Sequence, residues 1–376
     1  MEHFSDLFSR FNHYRKRSNL QCPGSFETLH REVKNTLPTL HLIDGAKLDA
    51  AAVLGPNFHV THSLQWGGQE YPPTYHFGAN YNTDNYGLSG QLDSKWNLQA
   101  RAHYNWYLEK ALKPDSVKPD GSDVPVSQLP KPSIKTKVDC SLPTVEGHPP
   151  MIALEHEHIG QDYSVALKAI NPNPFNSPPS YNLKSKNSTI TGMYTLSYLQ
   201  SVSKNLTLGG EFLYQRPTPD QEEPSFNLVG RYIPNPVELP IPSTVPLGST
   251  SPFPLVNPLD PTEIYTASFS PNSGMLHCSY FKKVNQRLDV CCELQSLLTP
   301  GIGGSFGRRE GIASVGFKLV TVFSQVRGMI DTMGRVSGTA DYTLAPGLMF
   351  NISGEIDYGK SADGQGRIGL GFQLEA

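Results

Sequence analysis

Residues 155–158 read Glu-His-Glu-His, the ligand types of a metal centre, and five cysteines (Cys22, Cys140, Cys278, Cys291 and Cys292) add thiols that bind metals or react. Their spacing argues against both uses. In a strand over 150–158 the side chains alternate, so Glu155 and Glu157 face one way while His156 and His158 face the other. The cysteines show no C-x-x-C or other metal spacing, and the neighbours Cys291 and Cys292 point to opposite strand faces, so all five read as free thiols. The stretch "GIGGSFG" at 301–307 lacks the lysine and following helix of a phosphate loop and reads as a turn. No nucleophile, base and orienting group converge, so no enzymatic step, metal or cofactor is expected. What remains is a series of carboxylates in the polar registers of strands: Glu155, Glu157, Glu211, Asp289, Glu293, Asp331, Asp341, Glu355 and Asp357. Lys47, Arg287, Arg327 and Arg335 share those registers. Spaced carboxylates offer weak attraction to a basic molecule moving past, about 0–1 kcal/mol for each exposed pairing, which suits transit because a tight site traps its cargo.

The elements that carry these residues are strands. The last ten residues, "RIGLGFQLEA", alternate strictly, with Ile368, Leu370, Phe372 and Leu374 opposite Arg367, Gly369, Gly371 and Gln373. The same period of two runs through 44–54, 58–67 and 74–82, and then through sixteen further segments up to 364–375. The total is about nineteen, each near the ~10 residues that a tilted strand needs to cross a bilayer. Only 23–38 reads as a helix: Ser25 caps it, Phe26, Leu29 and Val33 share a face, and Pro38 ends it. Three proline-rich stretches, 109–132, 171–189 and 234–261, read as loops outside the sheet because proline cannot donate to a ladder.

Alternation alone leaves two media open. The apolar rows are either the core of several soluble sandwiches or the lipid face of one membrane barrel. No flexible linker divides the alternation into domain-sized blocks, and a closed sheet needs none and exposes no edge. No apolar run approaches the ~18 residues of a transmembrane helix. A net charge of -3 and the absence of a basic stripe give no sign of nucleic acid, and none is expected as a partner. The first seventeen residues lack the apolar stretch of a secretory signal and carry acids that transit peptides avoid. The fold expected is an all-β transmembrane antiparallel barrel over 43–375, preceded by a short segment at 1–22 and the helix.

Several blocks then resemble a known family: "PGSFETLHREVKNTLP" (23–38), "DGAKLD" (44–49), "FHVTHSL" (58–64), "YHFGANY" (75–81), "YTLSYLQSVSKNLTLGGEFLYQR" (194–216) and "GMLHCSYFKKVNQRLDVCCEL" (274–294). Together they are similar to the channel-forming subunits of the translocase of the mitochondrial outer membrane, the TOM complex. The resemblance implies a nineteen-stranded barrel with parallel first and last strands and the helix inside the lumen. It implies a protein-conducting channel that passes unfolded nuclear-encoded precursors across the mitochondrial outer membrane. It implies as partners a receptor with a transmembrane helix, small helical subunits, outer-membrane lipids and further copies of the chain. Barrel precursors of this kind carry a sorting signal in the last strand, and Arg367, Gly369, Phe372 and Leu374 occupy its positions. With the family's orientation, loop 217–224 faces the intermembrane space, where Asp220, Glu222 and Glu223 would form an exit-side acidic site. His62, in the apolar register of its strand, would touch a partner subunit or sit near the headgroups.

Nineteen strands ~4.8 Å apart and tilted ~45° give a backbone diameter near ~40 Å and a lumen of roughly 20 Å, wide enough for an extended chain or one helix. Apolar lumenal patches such as Leu199 and Leu213 would shield unfolded cargo. The alternative within membrane barrels is a voltage-dependent anion channel that passes metabolites. A soluble multi-sandwich binding protein is a third reading, one that predicts extraction without detergent.

Overall fold

The computed structural model describes residues 20, 22–68, 72–106, 133–144, 150–160, 162–173, 191–218, 221–234, 261–298, 309–359 and 365–375. The glycine-rich stretch 301–307, loop 109–132, Asp220, most of segment 1–22 and most of the other two proline-rich stretches lie outside them.

Nineteen strands follow one another: β1 (Gly45–Gly55), β2 (Phe58–Trp66), β3 (Thr74–Asn82), β4 (Tyr86–Asp93), β5 (Leu98–Trp106), β6 (Ser133–Leu142), β7 (Met151–Ile159), β8 (Tyr163–Asn173), β9 (Thr191–Ser201) and β10 (Leu206–Thr218). The second half holds β11 (Gln221–Tyr232), β12 (Glu263–Ser270), β13 (Met275–Lys283), β14 (Leu288–Leu298), β15 (Arg309–Val320), β16 (Ser324–Asp331), β17 (Arg335–Ala345), β18 (Leu348–Asp357) and β19 (Gln365–Glu375). Each pairs with the next, antiparallel throughout, and β1 closes the ring against β19 in parallel from Gly45↔Gly369 to Ala51↔Glu375. An odd strand number makes that parallel seam unavoidable, since an up-and-down ring of nineteen begins and ends in the same direction.

Exposure settles which medium lies on which side. Leu370, Phe372 and Leu374 of β19 are 43–46% exposed, whereas Ser353 of β18 and Thr339 of β17, in the opposite register, are 1% and 2% exposed. A soluble sandwich would bury the apolar row; here it faces outward and the polar row faces in. No helix among the described residues is long and apolar enough to cross a membrane.

The helix expected over 23–38 is broken into three pieces. A 3-10 turn at Phe26–Thr28 is followed by α1 (Arg31–Thr36), six residues long, and a second 3-10 turn at Pro38–His41. Leu37 is extended (φ −73°, ψ 145°) because it precedes Pro38, whose ring excludes the helical conformation there. Ser25 makes no side-chain cap; its carbonyl instead accepts from Thr28 Oγ1 at 2.9 Å. Tertiary fit overrides the helical period. Leu29 sinks between Leu199 and Val229, and Val33 and Leu37 pack with Ile264, Phe281 and Cys291. This segment, the inner plug, therefore supplies the apolar core of the molecule, on the lumenal side of the wall.

Two loop boundaries also shift. Asn171–Asn173 continue β8 after a register irregularity at Ile170, and β10 and β11 run on to Thr218 and from Gln221, so the expected loop 217–224 is mostly ladder. Arg287 falls in the turn ahead of β14 rather than within it.

The seam holds the plug to the barrel. Ser353 Oγ accepts from the Ile43 amide at 2.9 Å and donates to the Ile43 carbonyl at 3.0 Å, which pins the chain just before β1 across β18 and β19. A Cβ at Gly369 would collide with the Ile43 carbonyl, so this position needs glycine for close approach. Gly369→Val is expected to destabilise closure by about 1–3 kcal/mol, read as loss of the folded band in heat-modifiability gels. Gly366→Ala, whose Cβ would meet only Glu355 O at 3.9 Å, should leave that band unchanged.

Candidate functional site

The lumen is the concave surface that could act on anything, and its charges are ordered in pairs. Each sequence-predicted carboxylate takes the inward register, because β-alternation places it opposite the lipid-facing row. Glu155 accepts from Lys137 at 2.8 Å, Glu211 from Asn227 Nδ2 at 2.9 Å, and Glu355 from Arg367 at 2.7 Å. Asp331 holds Arg335 Nε at 3.0 Å, and Asp341 holds Arg327 at 2.7 Å. Glu293 bonds His277 Nε2 at 2.7 Å, and Asp357 accepts from the Gly359 amide at 3.0 Å. Asp289 is also engaged. Glu157 differs: it is 4% exposed, and its Oε1 has no partner among the described residues. The track is thus a set of cross-strand ion pairs and hydrogen bonds rather than bare charges. The alternation signal shows which way a carboxylate faces but not its partner, which is fixed by strand register.

The plug is bound to the wall by the same means. Glu27 pairs with Lys168 at 3.1 Å and Glu32 with Arg231 at 3.0 Å, while Arg327 Nε donates to the Asn35 carbonyl at 3.2 Å. The Gly24 carbonyl accepts from Ser164 Oγ at 2.8 Å. His30 bonds Ser279 Oγ through Nδ1 at 2.8 Å and stacks on His277 with ring centroids 4.1 Å apart. Burial, then the neighbouring His277 and Lys34, lower the His30 pKa from its ordinary 6.5 to about 4. Leu37 occupies the notch over Gly316, where a Cβ would collide with it.

Other expected sites fare differently. Leu199 is 1% exposed beneath Leu29, so it does not meet cargo. His156 and His158 are separated from Glu155 and Glu157, as alternation requires, and bond Thr136 and Tyr163 instead at 3.0 and 2.9 Å. Among the described residues no group of three or more potential ligands gathers to hold a metal. His62 is exposed on the lipid side, where its Nδ1 lies 2.7 Å from Tyr75 Oη and its ring packs near Phe77; a polar partner comes from the next strand. Glu222 and Glu223 are strand residues: Glu222 pairs with Arg216 at 3.2 Å, and Glu223 lies opposite Gln215. In the last strand Arg367 reaches Glu355, Gly369 admits Ile43, and Phe372 and Leu374 face outward with Phe372 against Phe350. Sequence reasoning missed the Ser353–Ile43 clasp, because nothing local marks a serine as the partner of a backbone 310 residues away.

A closed nineteen-stranded barrel with an inner plug and a polar lumen can be compared with known families. The family model for eukaryotic porins matches residues 22–116 and 121–369. The chain belongs to the eukaryotic porin family. Within it, the chain is similar to the mitochondrial import receptor subunit tom40 of Neurospora crassa, 26% identical over 380 residues that cover 99% of this chain and 88% of that protein. It is also similar to the mitochondrial import receptor subunit TOM40 of Saccharomyces cerevisiae, at 26% identity over 98% of this chain and 82% of that protein. The TOM40 homolog 2 of Drosophila melanogaster matches at 24% over 96% of this chain and 86% of its own length. These eukaryotic-porin relatives favour the import channel over the metabolite porin.

Two outcomes check the plug's anchoring. Leu37→Ala removes the side chain from its notch, at a cost of about 2–5 kcal/mol. Amide exchange over residues 31–37, corrected for intrinsic rates, should accelerate at least tenfold. His30 is held neutral, so the docked plug takes up its proton less readily than the undocked one. Docking is therefore strongest above the ordinary histidine range and weakens as pH falls from about 6.5 towards about 4. In the His30→Gln variant this acid-dependent loosening of the same amides should shrink, with burial of His41, which lowers that histidine's pKa as well, sustaining the remainder.

Proposed function

We propose that this protein is the protein-conducting channel of the mitochondrial outer-membrane translocase, through which unfolded nuclear-encoded precursors cross the membrane. The observation that carries this reading is near-full-length similarity to import receptor subunits on a closed barrel whose lumen is lined mainly by polar side chains. The mechanism is one of transport. The barrel screens an extended chain from lipid, and a lumen of roughly 20 Å, partly filled by the plug, admits that chain but no folded domain.

Basic amphipathic presequences meet Glu155, Glu211, Asp289, Glu293, Asp331, Asp341, Glu355 and Asp357 already paired or hydrogen-bonded. A passing arginine or lysine exchanges with a resident partner and gains little at each step, which keeps the cargo mobile. Glu157, with one unpartnered oxygen, adds to the same wall. Asp220, Glu222 and Glu223 form the exit-side acidic site of this reading, with Glu222 held by Arg216 until cargo displaces it. Arg367, Gly369, Phe372 and Leu374 serve as the signal by which the barrel is inserted, and the seam contacts of Gly369 give the same residues a folding role. The partners are precursor proteins, a receptor with a transmembrane helix, small helical subunits, one of which meets the wall near His62, and outer-membrane lipids, with two or more copies of the barrel together.

Single-channel recording of the refolded protein in a planar bilayer tests the reading. A basic presequence peptide added to one side should block a cation-preferring pore in a voltage-dependent way, whereas an anion-preferring pore indifferent to the peptide would assign the protein to the metabolite porins. Reversing Glu222 and Glu223 to Lys together with Asp220→Lys should slow import of basic precursors several-fold; import at the normal rate removes the exit-side site.

A further inference from the structure

The plug divides the lumen unequally. Among the described residues, its hydrogen bonds and ion pairs from Gly24 to Ile43 reach β8, β11, β12, β13, β16 and β18. The lumenal side chains there are covered: Ser164, Thr266 and Thr339 are 2–4% exposed. Across the barrel, Asn82, Gln91, Gln99 and Arg101 on β3, β4 and β5 stay exposed, and Asn80 and Asn105 are half-buried. The inward register of β2–β5 carries amides, hydroxyls, histidines, glycines and two charged residues, Asp93 and Arg101, and no aliphatic side chain. Its one exposed cation, Arg101, is held by Asp139 at 2.6 Å, so no free positive charge is on offer to a small anion.

We propose that the uncharged stretch of the translocating chain, which follows a basic presequence that exchanges along the acids, runs in an extended conformation along this amide wall of β2–β5, opposite the plug. This rests on the channel reading above and names the surface that the cargo touches. Carboxamides carry two donors and two acceptor lone pairs, the groups that match the amides and carbonyls of an extended backbone. Along one strand the inward side chains recur every two residues, about 6.7 Å, which is also the repeat of like-facing groups in an extended chain. Asn80 and Asn82 on β3, and Gln91 across the ladder on β4, therefore present exchangeable partners in step with the cargo's own backbone. The lack of aliphatic groups leaves nothing for an apolar stretch to adhere to. On the opposite wall, Leu199, Ile264 and Phe281 are occupied by the plug. An extended polypeptide is thus the occupant whose chemistry this half of the wall matches.

The test uses the full-length channel in isolated outer membranes and a precursor with one cysteine, arrested in transit by a folded C-terminal domain. Cysteines are introduced one at a time as Gln91→Cys and Gln99→Cys on the open wall, and as Thr339→Cys and Ser164→Cys on the covered wall. The unsubstituted chain gives the background from its own five cysteines. Oxidation should cross-link the arrested precursor at positions 91 and 99 at least tenfold more than at 339 and 164. Having two controls keeps the comparison intact if one of them does not assemble. Arrested precursor that cross-links equally well, or better, from 339 or 164 overturns this path while leaving the channel reading in place. Failure of any precursor to arrest, scored by protease protection, overturns the channel reading and the path with it.

Discussion

Everything in this molecule depends on the demand that a backbone in hydrocarbon leave no amide or carbonyl unpaired. A strand satisfies its polar groups only through neighbours on both edges, so a sheet in a membrane must close on itself. With nineteen strands, closure forces β1 to meet β19 in parallel. That seam is the parallel pairing of the ring, and specific contacts gather at it. Ser353 grips both polar groups of Ile43, and Gly369 and Gly371 give up side chains so that the chain entering β1 can cross them. The last strand is therefore glycine-rich on its lumenal side for reasons of local approach, independently of any signal it carries.

Closure puts water on the inside, and that reverses the usual partition of side chains. Apolar rows contact lipid; serines, threonines and charged residues line the interior. Among the described residues the apolar packing inside comes from the plug, where Leu29, Val33 and Leu37 fill hollows over Leu199, Phe281, Cys291 and Gly316. Ion pairs of Glu27 and Glu32 fix the plug near one end, and a hydrogen bond from Arg327 to the Asn35 carbonyl fixes it near the other. A plug anchored over β8–β18 leaves β2–β5 clear, so one arrangement both stabilises the barrel and keeps a passage open. The carboxylates of the wall balance local cations in the resting state, which makes them exchangeable partners for passing positive charge.

The strands were legible because a period of two persists over segments of about ten residues with turn residues between them. The order of pairing followed from chain order once the ring was taken as closed. Which face met lipid was not legible from any single strand, since Leu370 or Phe372 would look the same in a sandwich core; their exposure decides it. The helix was misread because its apolar spacing is real but serves two separate clusters on the wall, and because the constraint of Pro38 on Leu37 ends α1 at Thr36. The acids were correctly placed inward, yet their partners come from strands as distant in sequence as Lys137 and Glu155. Leu199 shows the limit most clearly: alternation placed it in the lumen, and only the tertiary position of Leu29 shows that it is covered.

The claim on which the rest stands is the inversion of the two faces, and alternate-residue labelling in native membranes measures it most directly. Asn80→Cys and Asn82→Cys on β3 face the lumen, and Ala79→Cys and Tyr81→Cys on the same strand face lipid. A water-soluble, membrane-impermeant thiol reagent should label positions 80 and 82, and a lipid-soluble one positions 79 and 81. Uniform labelling by the water-soluble reagent, or the reversed pattern, would contradict the account.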